Sequence, residues 1–600
     1  MERDIIDIAK SDFKESDKLI SKSPLMPEKF IFKNSKPEKK YEPESTAKLK
    51  NKLSKKEKVK EWIKVRDNQI FLGIMLFAIV VRLYYFWITK SQALWWDESD
   101  YLAYAKTLAG MGTSWVITSQ HNSLFPYMVA LFFKIGISEM IIKFILEIIP
   151  SIILVFLTYK ICEGIYKDKK MALISTFVMA VFWNILFNST RFHLEAPALM
   201  FAFLAIYSFF IGYEKRQKIF LKINPNWAIL LAVIFTIISY SIRRNYAFFG
   251  IFFLIYMLFT KKISVLIKDK YNWMALIVAA ILLIITENFI FISSAAGVAS
   301  EYYHPEDAIN WTHINFLSLF FQGQTLISSI FFWLTILGLI VTVLKLAIVL
   351  DNLRKNNNLE IKFDFFLVLS LIITLAYFIF FQRGSSIGEP RWYFPMLLAA
   401  LIFTARGAIF ISSQIKKHDK KMAVLVLILL VLIGGYFQLQ HADQIIKAKV
   451  PSYSGIRAAG MKVNSISNIE DIVITSSVPQ AAYYSERPTI HFGDMAELHS
   501  ENEFNKTLEY LEKNKNVRFI LISFSEPHNP TWVRNEGEEY SRDQNGQVIR
   551  LKWEVPFMDT FVNFQTGEQQ ILQEKTYGKI TFKLVSIEQD VFIYEIVRIA

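Results

Sequence analysis

Cysteine is nearly missing from this chain. Its single Cys162 cannot close an internal disulfide, so any domain outside a membrane must fold without bridges. That points to a prokaryotic rather than a secreted animal protein. Charge is also sparse, at 20% of residues against about 25% in ordinary soluble domains. The net charge of +13 is carried by Lys and Arg clustered between apolar runs, with no nucleic-acid-binding motif beside them. This argues against a nucleic-acid partner and for charges facing anionic lipid. A cleavable leader is not read either. The first apolar run begins near residue 69, behind a long charged segment, and should remain as an anchor. There is no solenoid repeat, and no pair of matched halves of the kind secondary transporters show.

Apolar residues are plentiful, at 53% with 52 Phe, and they are bunched. Runs approach the ~20 residues a helix needs to cross a ~30 Å hydrocarbon layer. Eleven spans are expected, near 69–89, 139–160, 171–187, 194–212, 227–242, 245–260, 273–292, 324–347, 363–381, 393–412 and 422–439. The region 227–260 can equally be one broken hairpin. Five short loops (159–170, 213–222, 261–270, 351–362, 414–421) carry 19 Lys/Arg, whereas the alternate segments carry 8 despite their greater length. The positive-inside rule places the first set in the cytoplasm. The expectation is a multi-pass protein of the plasma membrane, N-terminus inside and C-terminus outside.

Residues 1–66 hold 19 Lys/Arg and 12 Asp/Glu and read as a basic, disordered or loosely helical cytoplasmic tail. Residues 67–441 form the membrane domain. Residues 442–600 change character, with short β-branched runs at 471–477, 518–524, 581–586 and 591–597 and helical spacing over 501–515. They predict an extracytoplasmic α/β domain.

Chemistry gathers beside the spans. After the first comes Trp95-Trp-Asp-Glu-Ser-Asp100, with Asp97, Glu98 and Asp100 at headgroup depth and two indoles suited to anchor them. Acids in a first helical turn also complement the helix dipole, the structural role expected of Glu98 and Asp100. The short segment Arg191-Phe-His-Leu-Glu195 brings a further acid, a cation and His193 to the same face. Arg191 and Glu195 are four apart and can pair with each other, or Glu195 can face the first loop. Arg243 and Arg244 interrupt an apolar region, which is costly without an anion to meet. Arg383 and Arg391 flank another loop of that face, and Arg383 is expected simply to reach water. Carboxylates can take a proton from an attacking hydroxyl. Arginines can hold phosphate oxygens.

Five segments resemble one family. Trp96-Asp97-Glu98 with Tyr101 and Ala105 resembles the acidic first loop of the GT-C superfamily, more narrowly its protein O-mannosyltransferase and aminoarabinose-transferase group. His121-Asn-Ser-Leu-Phe-Pro-Tyr127 is similar to that group's His-Pro-Pro-Leu-Tyr segment, although it lacks both prolines. Arg191–Glu195 is similar to its second acidic loop, and Glu389-Pro-Arg-Trp-Tyr-Phe-Pro395 to its late Glu-Arg-Tyr segment. Ser476–Pro488 resembles the external domain of archaeal and bacterial members. The resemblance implies a GT-C fold and an inverting transfer of a sugar, mannose being the family's common one, from a polyprenyl-phosphate carrier to a protein, glycan or lipid. It implies Asp97 as catalytic base and Glu195 as second acid. Arg391 or the Arg243–Arg244 pair would contact the lipid phosphate, with Glu98, Asp100, Arg191 and His121 in support. No certain cofactor follows; a divalent cation held by His121 or His193 stays an open alternative. The rival readings are a small-anion transporter and an oligosaccharyltransferase-like enzyme.

Overall fold

The computed structural model describes residues 54–599 apart from 113–114, 118–120, 221, 292–326, 351–352, 356, 381–388, 497, 499–502, 524–525, 527–528, 531, 533–539, 543–547 and 551–572. The histidine-bearing loop 293–323, Arg383 and most of the basic tail lie outside the described residues. The last turns of that tail, Lys55–Lys64, form a helix closed by a Ser54–Glu57 capping box.

The chain is a helical bundle crowned at one end by a sheet. Its helices are α1 (Arg66–Thr89), α2 (Trp96–Ala109), α3 (Leu124–Lys134), α4 (Glu139–Tyr166), α5 (Lys169–Val181), α6 (Trp183–Ser189) and α7 (Glu195–Glu214), followed by α8 (Pro225–Ile242), α9 (Arg244–Thr260), α10 (Lys270–Ile290), α11 (Ser329–Val349), α12 (Leu359–Phe378), α13 (Pro390–Lys416) and α14 (Lys420–Lys449). Among the described residues nine helices are long and apolar enough to cross a membrane. The expected spans all fall on apolar helices, with two differences. The expected span at 171–187 is α5 and α6, bent by 49° at Phe182. The one at 245–260 is α9, which is shorter than a full crossing. The amphipathic α3 lies within what reads in sequence as a loop.

Two buried arginines inside the bundle are paired, as the absence of water demands. Arg82 of α1 is 1% exposed and donates to Ser151 Oγ at 2.6 Å and to the carbonyls of Ala180 at 3.0 Å and Met179 at 3.5 Å. Those carbonyls end α5, where the helix dipole is negative. The guanidinium therefore caps the break that turns α6 aside. Arg406 of α13 forks onto Asp364 with two 2.8 Å bonds and reaches Thr342 at 2.6 Å, while Tyr166 donates to the same carboxylate at 2.6 Å. Four helices thus share one buried network. Elsewhere α11 and α13 touch backbone to backbone. A Cβ on Gly338 would stand 1.9 Å from the Phe403 carbonyl, and one on Gly407 2.0 Å from that of Leu334. Only glycine permits such an approach.

Beyond α14 come α15 (Ser454–Ile466), β1 (Ile472–Thr475), α16 (Val478–Ser485), β2 (Thr489–Ile490), α17 (Glu503–Lys513), β3 (Val517–Ser523), β4 (Tyr540–Arg542), β5 (Val548–Arg550), β6 (Glu574–Tyr577), β7 (Ile580–Glu588) and β8 (Val591–Arg598). Six strands form a mixed sheet in the order β2-β1-β3-β8-β7-β6, with β1 parallel to β2 and β3 and the remaining pairs antiparallel. The four expected strands are β1, β3, β7 and β8, and the expected helix is α17.

This part is bolted to the first loop of the bundle. Lys106 of α2 pairs with Glu486 at 2.7 Å and donates to the Tyr483 carbonyl at 3.3 Å. Tyr483 donates to Glu139 at 2.7 Å, and Tyr484 Oη accepts from the Leu94 backbone N–H at 2.8 Å. Gln92 donates to the Lys449 carbonyl at 2.6 Å, and Arg457 to that of Ser91 at 2.5 Å.

Candidate active site

Helix α2 starts where Trp95 turns extended (φ −90°, ψ 178°) and its carbonyl accepts from Ser99 N at 2.8 Å. The first turn then carries Asp97 and Glu98 at the positive end of the dipole. Helical spacing places Asp97, Asp100 and Tyr101 on one face and turns Glu98 to another. The two faces meet different partners. Glu98 is 2% exposed and accepts from Arg191 Nε, and Arg191 lies 3.3 Å above the Trp95 ring. Asp100, 1% exposed, accepts from Trp115 Nε1 at 2.7 Å and stands 2.6 Å from His121 Nδ1. His121 Nε2 stands 3.5 Å from Asp97. One imidazole thus bridges two carboxylates of α2.

Asp97 meets the arginines. Arg391 Nη2 donates to its Oδ2 at 3.0 Å, and the same guanidinium lies 3.7 Å from Glu195 and contacts Glu389. Arg243 stands 3.2 Å from Glu195. Three acids and two arginines from separate elements therefore converge. Accessibility separates the acids: the Asp97 side chain is 28% exposed, whereas that of Glu195 is 0%. Only Asp97 of this pair can be reached from a neighbouring cavity of about 360 Å³, which Arg391 and His193 also line.

Electrostatics sharpen these roles. Burial works to raise the Asp97 carboxyl, but Arg391, His121 and Arg243 more than offset it and hold the group below its ordinary value. Burial works to lower His121; its bond to Asp100 and the charge of Asp97 prevail and keep it above its usual value. His193 goes the other way, driven well below its ordinary value by burial and by Arg391, Arg191 and Arg243. It is a neutral imidazole whose Nδ1 lies 2.5 Å from Asn188 Oδ1.

The sequence-predicted residues do not all fall together. Asp97, Glu195, Arg243, Arg391 and His121 form the cluster, with Glu98, Asp100 and Arg191 packed behind it. Arg244 departs from its neighbour and lies 4.2 Å over the Phe291 ring. The helix-face pair between Arg191 and Glu195 is not made: Arg191 takes Glu98, and Glu195 takes Arg243 and Arg391, because α7 begins only at Glu195 and the two residues share no helix. Among the described residues no group of three or more His, Cys, Asp or Glu is arranged to hold a metal ion. His121 spends both ring nitrogens on carboxylates, His193 faces Asn188 and Glu98, and a cation at Asp97 would compete with Arg391. Asn188, which opens a glycosylation-type triplet, is 1% exposed and bonded to Asn184 and His193, so it is no surface acceptor. Trp115 escaped the sequence reading, since it sits in no charged motif.

Comparison with known proteins sets this geometry in context. Residues 120–288, which contain His121, Glu195 and Arg243, match the family model described as dolichyl-phosphate-mannose-protein mannosyltransferase. No curated protein matches the chain by sequence. The fold is similar to that of the Archaeoglobus fulgidus oligosaccharyltransferase tethered to an acceptor peptide, with a TM-score of 0.53 and 11% identity over 77% of this chain and 70% of that one. It is also similar to ArnT from Cupriavidus metallidurans bound to undecaprenyl phosphate, with a TM-score of 0.50 and 10% identity over 87% of this chain and 98% of that one. The bundle therefore shares the fold of these two proteins, and the family-model match runs from α3 to α10.

Proposed function

We propose that the protein transfers a sugar, mannose by the matched family, from a polyprenyl-phosphate carrier to an acceptor hydroxyl on the extracytoplasmic side of the plasma membrane. The observation that carries this reading is the reachable Asp97 carboxylate, 3.0 Å from an arginine that is shared with a buried second acid. Asp97 takes the proton of the acceptor hydroxyl. The freed oxygen attacks the anomeric carbon, a new C–O bond forms there, and the bond from that carbon to the phosphate oxygen breaks. The electron pair stays on the lipid phosphate, where Arg391 and Arg243 meet the growing charge. Configuration inverts, and no sugar is ever bonded to the enzyme. Glu195 keeps the two guanidiniums in place between turnovers. As a phosphate draws Arg391 away, Asp97 loses its strongest acidifying neighbour and becomes a better base.

Support for the sidedness comes from the charges: 19 Lys/Arg on one set of short loops against 8 on the other favour an external Asp97 end. The test supplies purified protein with radiolabelled polyprenyl-phosphate sugars and, separately, with nucleotide sugars. Transfer is expected from the lipid form alone. Asp97→Asn should lower it by at least about 100-fold with the fold intact. Transfer from nucleotide sugars only, or normal turnover in Asp97→Asn, would overturn the proposal.

A further inference from the structure

Of the two arginines in the cluster, only Arg391 reaches the cavity beside Asp97. Asp97 and Arg391 form one wall of it, yet Arg243 and Glu195, which complete the cluster, do not line it. The remaining walls come from elsewhere: Trp95 and Trp96 ahead of α2, Trp183 and Asn184 on the bent-off α6, and Tyr453, just past the end of α14. Trp95 stays half-buried, its ring fixed between the Arg191 guanidinium at 3.3 Å and the Lys449 ammonium at 5.4 Å. Two donors in these walls, Trp95 Nε1 and Asn184 Nδ2, are buried without a hydrogen-bond partner. The volume of about 360 Å³ lies within the ~300–1,000 Å³ of small-molecule sites.

We infer that this cavity is the acceptor subsite and that its occupant is a carbohydrate: a pyranose ring laid against the indoles, with one hydroxyl at Asp97. The inference rests on the transferase reading above and names its acceptor class. Rigid aromatic faces match the C–H faces of a sugar ring, and amide and indole N–H groups match its hydroxyl oxygens. A peptide needs main-chain partners along an extended edge; no strand lines the cavity among the described residues. The position relative to Asp97 decides between donor and acceptor. In a single displacement the leaving phosphate and the attacking hydroxyl occupy opposite faces of the anomeric carbon. The phosphate belongs with Arg243, which lies outside the cavity, with Arg391 touching both Asp97 and Glu195, and the group that loses its proton to Asp97 comes from the cavity side. The bond changes are those given above, with the acceptor oxygen supplied by a sugar hydroxyl.

Saturation-transfer NMR on the detergent-purified full chain tests this without turnover. The probes are methyl hexosides, N-acetylhexosaminides and hexuronides, alongside a Ser/Thr-rich peptide and an Asn-x-Thr peptide. At least one pyranoside should give a saturable signal. Asn184→Ala and the milder Trp183→Phe should each weaken it by tenfold or more, with unchanged thermal unfolding. Excess undecaprenyl phosphate should leave it in place. Signals from peptides but from no sugar, sugar signals unchanged in both variants, or displacement by undecaprenyl phosphate would each overturn the assignment. The last would hand the cavity to the donor. Sugar binding in a protein that transfers from no lipid carrier would sink the transferase reading yet leave the subsite standing; transfer onto peptide would do the reverse.

Discussion

Replacing Tyr484 with Phe removes one oxygen atom from α16 and should reach the active site through the backbone. The phenol accepts from the Leu94 N–H at 2.8 Å, and Leu94 is fully buried, three residues ahead of Asp97. Phenylalanine keeps the ring packing but leaves that N–H without a partner, at a cost of about 1–3 kcal/mol. The chain can escape the penalty only by moving residues 92–96 toward another acceptor. That carries the first turn of α2 with it. If the whole penalty is relieved this way, the correctly placed state is disfavoured by the same amount. At about 1.4 kcal/mol per decade, kcat falls by about 5- to 150-fold. The KM for the lipid donor should hold, because Arg243, Arg391 and Glu195 do not depend on this bond. Steady-state transfer assays on Tyr484→Phe, with thermal unfolding beside them, measure both. Wild-type kcat in a variant with wild-type stability would refute the idea that the sheet positions the Asp97 helix, as would a loss confined to donor KM.

Three further outcomes follow from the geometry. Arg391 and its neighbours hold Asp97 below the ordinary carboxylate value, so the rate should survive acidification until that lowered value is crossed and then fall as the base is protonated. In Arg391→Gln the acid limb of the kcat/KM profile should move to higher pH, and an unmoved limb would show that Asp97 is not the titrating base. Gly338→Ala should force α11 from α13, since the new Cβ would stand 1.9 Å from a carbonyl oxygen; a melting temperature equal to wild type in detergent would contradict the close approach. Asp364→Ala strands the Arg406 guanidinium among apolar helices and should cost about 3–5 kcal/mol. The double replacement Asp364→Leu with Arg406→Met should recover much of that loss in the same unfolding assay.

Much of the architecture was legible in the sequence because lipid is a strict solvent. It demands long apolar runs, and those runs are visible one by one. Four strands of the sheet were legible for a related reason: β3 is buried at six of its seven positions and β8 at half of its eight, so both read as short apolar segments. The break in the third span was not, because nothing at Val181-Phe182-Trp183 breaks a helix locally; the turn is held from outside by Arg82 of α1. The site was legible as a set of charges at one depth, but its pairings were not. Sequence spacing offers Glu195 to Arg191. Packing gives it to Arg243 and Arg391 instead, from segments about 50 and 200 residues distant. Three wall residues of the cavity drew no notice for the same reason. Trp183, Asn184 and Tyr453 are ordinary residues until three remote elements bring them together.

Lys106, Leu94 and Ser91 each reach across to the part of the chain that follows α14, and Gln92 to the last residue of α14 itself. A loop carrying the reactive acid is therefore finished last, by residues synthesised several hundred positions later. While the helices are being inserted, that loop lacks these partners. The placement of Asp97 is then completed only once α15 and α16 have docked.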